Sequence, residues 1–220
     1  MNILELEMRG EFGWAVASFA PWARKQSRNY DKTIVSSFPS TSALYTDFAE
    51  FKPIVGGSGL NFPFKKYRVD GEYKSYGTPT PKYDILIHAR GCSRKTKINY
   101  KQWDEITKAL PNYKIAFIGL KNDQYIEGYN DEREIELQLL MDYLAGAKLC
   151  IGVSSGVMHL ASYCKCPIVV WGGNHTFLHR TLEQRYQEDW NPLKSKVEFI
   201  LNPDWNPKPE EILERIHKII

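Results

Sequence analysis

The chain has little that would tie it to a membrane, a metal site or an oxidising compartment. It holds four cysteines in 220 residues, Cys92, Cys150, Cys164 and Cys166, and no two of them form a C-x-x-C pair. Their spacing fits no structural zinc site, and thiols in mostly apolar surroundings read as reduced and buried, the pattern of a cytoplasmic protein. No apolar run is long enough to cross a bilayer, and no charged-then-apolar leader opens the sequence, so no membrane span is expected. Charge of one sign is also scarce. The formal net charge is +3, so no global field argues for a nucleic-acid partner. No internal repeat is visible. What is present is ordinary for a soluble globular protein, with 43% apolar and 25% charged residues, in a length that holds one domain or two small ones.

The periodic signal is strongest from Tyr83 onward. "YDILIHAR" (83–90), "YKIAFIGL" (113–120), "KLCIGV" (148–153) and "CPIVVWGG" (166–173) read as buried strands, and "KVEFIL" (196–201) adds a fifth. Between them, 99–110, 132–147 and 156–164 read as helices. Near-continuous apolar strands alternating with helices predict a parallel sheet covered on both faces, a Rossmann-like α/β domain. The first eighty residues are thinner: strands over 2–8 and 32–38, a short helix over 42–51, and a helix over 12–28 that Pro21 must kink or shorten. From Pro53 to Pro81 the composition turns to Gly, Pro and aromatics, which predicts a connection. The division expected is a small α/β domain over 1–52, a linker over 53–82 and the Rossmann-like domain over 83–220. "NPKPEEILERIHKII" closes the chain as a proline-started helix with an apolar side.

"VSSGVMHLASYC" (153–164) puts two serines and a glycine between a buried strand and a helix. In an open parallel sheet, ligands bind beyond the carboxyl ends of the strands. The first amides of the helix lack internal partners and carry the positive end of its dipole, so Ser154, Ser155 and Gly156 could hold an anion. The plain alternative is that Ser154 or Ser155 caps the helix and Gly156 only turns the chain.

The stretch "YLAGAKLCIGVSSGVMHLASYCKCPIVVWGG" (143–173) resembles the lipopolysaccharide heptosyltransferase family of GT-B glycosyltransferases. The matching positions are Tyr143 to Gly146, Gly156, Met158, His159, Leu160, Ala161 and Pro167. The resemblance implies a GT-B-like fold with a reduced N-terminal domain, and a donor diphosphate held by Ser155, Gly156, Val157 and Met158. It also implies a donor-site position for His159. Where the family commonly carries an acidic residue just before the Ser/Thr-Gly, this chain has Ser154.

Two further places carry chemistry. "HARGCSRKTKINYK" (88–101) crowds Arg90, Arg94, Lys95, Lys97 and Lys101 without an acid between them, and fixed cations there would stabilise a departing nucleoside diphosphate. The family has a lysine in this loop ahead of a tryptophan, which Lys97 and Trp103 roughly match. "MRGEFGWAV" (8–16) places Glu11 where the family has its glycine-flanked catalytic base, although the helix dipole alone would favour a carboxylate there. Asp123 and Asp131 are lesser candidates for contacts to nucleotide or acceptor. His175 and His179 have i, i+4 spacing but no glutamate beside the first, so no metal is expected.

These readings converge on a glycosyltransferase that uses a nucleotide-diphosphate sugar as co-substrate, without metal or cofactor, and passes the sugar to a hydroxyl-bearing acceptor. The shortened N-terminal domain would be explained by a compact acceptor site, by completion through a homo-oligomer, or by loss of activity. Two alternatives stand beside it: a non-catalytic nucleotide- or sugar-binding module, and a glycosyltransferase acting on modified DNA, whose basic loop would contact phosphates.

Overall fold

The computed structural model describes residues 1–55, 70–90, 100–173 and 180–220. The chain clusters into two compact units, Met1–Lys74 and Ser75–Ile220. Among the described residues no helix is long and apolar enough to cross a membrane.

The first unit holds a parallel sheet of three described strands, β1 (Ile3–Met8), β2 (Lys32–Ser37) and β3 (Glu50–Pro53), in that order. Between β1 and β2 runs α1, residues 12–27. It neither breaks nor stops at Pro21. Its middle, Ala15–Phe19, widens to π geometry, and the Ala20 amide reaches back five residues to the Ala15 carbonyl. A proline lacks an N–H and crowds the preceding turn, and one widened turn relieves that crowding while Pro21 opens the α-helical stretch Ala20–Ser27. The face carrying Ala15, Val16, Phe19, Ala20 and Ala23 is buried, as are Ile34 and Val35 of β2. The helix expected over 42–51 is replaced by a 3-10 helix at Pro39–Leu44 followed by β3. The chain needs an extended segment there to pair with β2, and that pairing overrides local preference.

The second unit is built on an all-parallel sheet of six described strands: β4 (Ile85–His88), β5 (Ile115–Gly119), β6 (Asn130–Arg133), β7 (Leu149–Val153), β8 (Ile168–Gly172) and β9 (Val197–Leu201). Their spatial order is β6-β5-β4-β7-β8-β9, the 3-2-1-4-5-6 order of a doubly wound dinucleotide-binding sheet. The four inner strands are apolar because both their faces are covered, and β4, β7 and β8 are buried along their whole length. The helices are α2 (Tyr100–Lys108), α3 (Leu137–Gly146), α4 (Gly156–Tyr163), α5 (residues 182–190) and α6 (Pro209–Ile216). Trp103 of α2 meets Trp171 of β8 with ring centroids 5.7 Å apart, and Ile212 and Ile216 of α6 join the same core. Burial of each such side chain contributes roughly 1.5–3 kcal/mol.

The helix expected over 132–147 begins later, at Leu137. Its first two residues, Glu132 and Arg133, belong to β6. β6 reads "NDER", an outer strand with no apolar run to reveal it.

Candidate functional site

The chain order reverses between β4 and β7, which are direct neighbours with His88 opposite Gly152. Beyond the carboxyl ends of two such strands lies the crevice where open α/β sheets bind ligands. From β7 the chain passes through Ser154 and Ser155 into α4. The Ser154 amide donates to the Trp171 carbonyl (2.8 Å), which ties the turn to β8. Ser155 takes the N-cap position in extended geometry, φ −158° and ψ 172°, yet its side chain makes no capping hydrogen bond. Its hydroxyl instead lies 3.1 Å from His88 Nδ1. The first intrahelical bond runs from the His159 amide to the Ser155 carbonyl. The amides of Gly156, Val157 and Met158 therefore open the helix without help from Ser155, and no acidic side chain stands in that turn. Such a helix start favours an anion through its unpaired donors and its dipole.

Of the residues singled out in the sequence, Ser154, Gly156 and Val157 are half-buried at this turn, and Ser155 and Met158 are buried. The Met158 side chain turns inward, where its sulfur accepts from the Cys150 thiol at 3.7 Å, so only its amide can serve a ligand. Burial pushes the Cys150 thiol up to about 12. Arg90 leaves β4 at the same edge and is exposed. Arg94, Lys95 and Lys97, like Cys92, His175 and His179, lie outside the described residues. Asp131 is hydrogen-bonded by Arg133, which holds its carboxyl down to about 2. Glu11, in the first unit, stands exposed at the N-cap of α1, where its carbonyl accepts from the Trp14 and Ala15 amides.

His159 is buried in an aromatic cluster. Its ring stacks on Trp190 at 4.1 Å, 28° from parallel, and meets Tyr186 edge-on at 5.7 Å. Neither ring nitrogen has a hydrogen-bond partner among the described residues. Burial, with the nearby charge of Arg185, pushes its pKa down to about 3. Trp190 and Tyr186 belong to α5, whose second half, Tyr186–Trp190, is another π stretch. That element was not anticipated from the sequence, although the capping box Thr181–Gln184 announces its start.

The sequence also gave no role to His88, whose other nitrogen, Nε2, lies 3.4 Å from Asp123 Oδ2. Asp123 sits in the loop after β5 and accepts from the Leu120 amide at 2.8 Å. That loop is fastened to the exit of β4 by the Gln124 amide, which donates to the Ala89 carbonyl at 2.8 Å. The signal that could have found this group is positional. A histidine at the last residue of the first strand stands at the switch point whenever the sheet is doubly wound.

No protein-family model matches the sequence, and no curated protein does. Solved structures do match in three dimensions. One is a glycosyltransferase family 9 protein from Veillonella parvula DSM 2008, at TM-score 0.69 and 9% identity, covering 99% of this chain and 97% of that one. A second is the ADP-heptose lipopolysaccharide heptosyltransferase II of E. coli, at 0.65 and 12%, covering 100% and 98%. This chain has the fold of these glycosyltransferases. A third, the iron-containing dodecameric glycosyltransferase TibC from enterotoxigenic E. coli H10407, matches at 0.59 and 16% over 94% of this chain and 62% of its own. The chain thus spans less than two thirds of TibC. The α/β architecture with parallel sheets agrees with the GT-B-like fold expected from the sequence.

Proposed function

We propose that the chain is a glycosyltransferase that moves a sugar from a nucleoside-diphosphate sugar to an acceptor hydroxyl. The observation that carries this reading is the start of α4 at the switch point, where Ser155 holds the cap position but turns its hydroxyl to His88. An anion can then take the amides of Gly156, Val157 and Met158. The glycosyltransferase fold of the neighbours supports a diphosphate as that anion, and the ADP-heptose enzyme among them makes ADP the first to test.

In this reading residues 83–220 bind the donor, 1–52 form the acceptor side and 53–82 join them. The helix amides, Ser154 and Ser155, with Arg90, Arg94, Lys95 and Lys97, neutralise the diphosphate as it leaves, without a metal. Glu11 removes the proton of the acceptor hydroxyl, which attacks the anomeric carbon from the face opposite the diphosphate and inverts it. The C–O bond to the diphosphate breaks as the new one forms. Self-association, as in dodecameric TibC, would complete a short acceptor side. A non-catalytic binding module is the second reading, favoured by the first unit's sheet of only three described strands.

A thermal-shift panel with ADP, GDP, UDP, dTDP and CMP tests the site. A bound ligand at a hundred times its Kd should add roughly 2.7 kcal/mol of stability. One nucleoside diphosphate is expected to raise the melting temperature, and Gly156→Val to abolish that shift. No shift with any of them would reduce the turn to a helix start. Loss of turnover without loss of binding in Glu11→Ala would separate an enzyme from a binder.

A further inference from the structure

Three buried polar side chains line up across the carboxyl ends of β5, β4 and β7. Asp123, His88 and Ser155 are 6%, 5% and 9% exposed. Asp123 Oδ2 is 3.4 Å from His88 Nε2, and His88 Nδ1 is 3.1 Å from Ser155 Oγ. Gly119 lets the first pair approach. A Cβ there would lie 2.3 Å from Asp123 Oδ2 and 2.9 Å from His88 Cδ2.

Ser155 and His88 share a hydrogen bond whose direction depends on the ring tautomer, and Asp123 stands beside the other ring nitrogen at ion-pair distance. An ionised Asp123 can only accept, so it draws the ring proton to Nε2. Nδ1 of the neutral ring is then an acceptor, and Ser155 must donate its O–H to it. That hydroxyl proton points into the protein, and the oxygen turns only lone pairs toward the turn. When the ring gains a second proton, Nδ1 becomes a donor and Ser155 Oγ accepts from it. The serine O–H is then released to donate to an anion at the start of α4. The imidazolium adds positive charge behind that anion, while Asp123 balances it.

We infer that diphosphate binding at this turn takes up a proton on His88, which acts as a positioning residue through Ser155. The inference rests on the reading of the turn as a donor-diphosphate site. Among the described residues, Asp123, His88 and Ser155 have charged and titratable neighbours on each side of the ring. On the β5 side stands Asp123, and Arg133 behind it donates to the Asp123 carbonyl at 2.8 Å while its guanidinium pairs with Asp131 at 2.7 Å. Just past the end of β4 is Arg90, whose amide donates to the His88 carbonyl. From β7 and α4 come Cys150, kept a neutral thiol by burial, and Ser155, Gly152 and Met158, which carry no charge.

The test is calorimetric titration of the full chain with ADP, in paired buffers of different ionisation enthalpy, between about pH 6 and pH 8, so that proton uptake on binding is read directly. The wild type is expected to bind ADP about fivefold more tightly at the acid end, a modest coupling between two linked sites. It should also take up a proton beyond that taken up by ADP itself. An ordinary phosphate site moves the other way, because a phosphate whose second pKa is about 6 loses charge as the pH falls. His88→Asn and Asp123→Asn should each remove the extra uptake. Ser155→Ala, which deletes one hydroxyl and leaves the ring in place, should remove it as well, and carries the test if the other variants do not fold. Affinity that is flat or falls toward acid in the wild type overturns the inference, as does uptake that persists in Ser155→Ala. ADP binding without the extra uptake leaves the donor site standing and overturns the proton link alone. If ADP does not bind at any pH, while another member of the nucleotide panel does and is titrated in its place, the same readouts apply. If none binds, both readings fall.

Discussion

Stacked on Trp190 with no hydrogen bond to either nitrogen, the His159 ring resists protonation. Its pKa is pushed down to about 3, whereas an unfolded histidine titrates near 6.5. Between those values acid protonates the unfolded chain and not the native one. The stability present above about pH 6.5 is therefore lost as the pH falls toward 3. His159→Phe preserves the stack and removes the titration. Its melting temperature, scanned from pH 7.5 down to pH 4, should fall less steeply than that of the wild type. An unchanged slope would place the acid sensitivity elsewhere. The same variant bears on the role that the family resemblance implies. Retained ADP affinity means that the ring supports α4 from behind, and lost affinity means that it touches the donor. Ser155 and Gly156 were legible in the sequence because a strand, a polar turn and a helix are local. His88 was not, because its partner Ser155 lies 67 residues away and only the strand order brings them together.

At the scale of elements, the apolar strands of the second unit could be read because burial on both faces leaves runs such as "ILIH" and "IVVWG". β6 could not, since an outer strand is half-exposed and carries charge. Pro21 is expected to kink or shorten the helix, and the π turn before it is a third answer that propensity alone does not offer. The β5 exit gives a sharper test. Gly119 (φ 130°) and Gly128 (φ 93°) both hold backbone that favours glycine, but a Cβ at 128 meets nothing within 4 Å whereas one at 119 strikes Asp123 and His88. Gly128→Ala should cost about 1–2 kcal/mol, the price of left-handed backbone alone. Gly119→Ala should cost more, about 3 kcal/mol, because it adds a displaced Asp123–His88 contact to that strain. Denaturant melts of the two variants compare them directly, and equal costs would mean that the Asp123–His88 contact yields freely.

Taken whole, the chain sets a doubly wound sheet of six described strands in one unit and three described parallel strands in the other. The alternation of apolar strands and amphipathic helices made the class of the larger unit legible, and the order 3-2-1-4-5-6 then fixed where a ligand belongs. The smaller unit was harder to read, because its two outer strands are partly exposed and its helix is interrupted by geometry that no residue pattern announces. Donor binding as proposed depends on the start of α4. The most direct measurement is the change in backbone amide NMR shifts of the full chain as ADP, or whichever nucleoside diphosphate stabilises it, is titrated in. The largest changes should fall on Gly156, Val157 and Met158, with smaller ones at Ser154, Ser155 and Arg90. Saturating binding whose shifts map away from residues 154–158 would contradict the site.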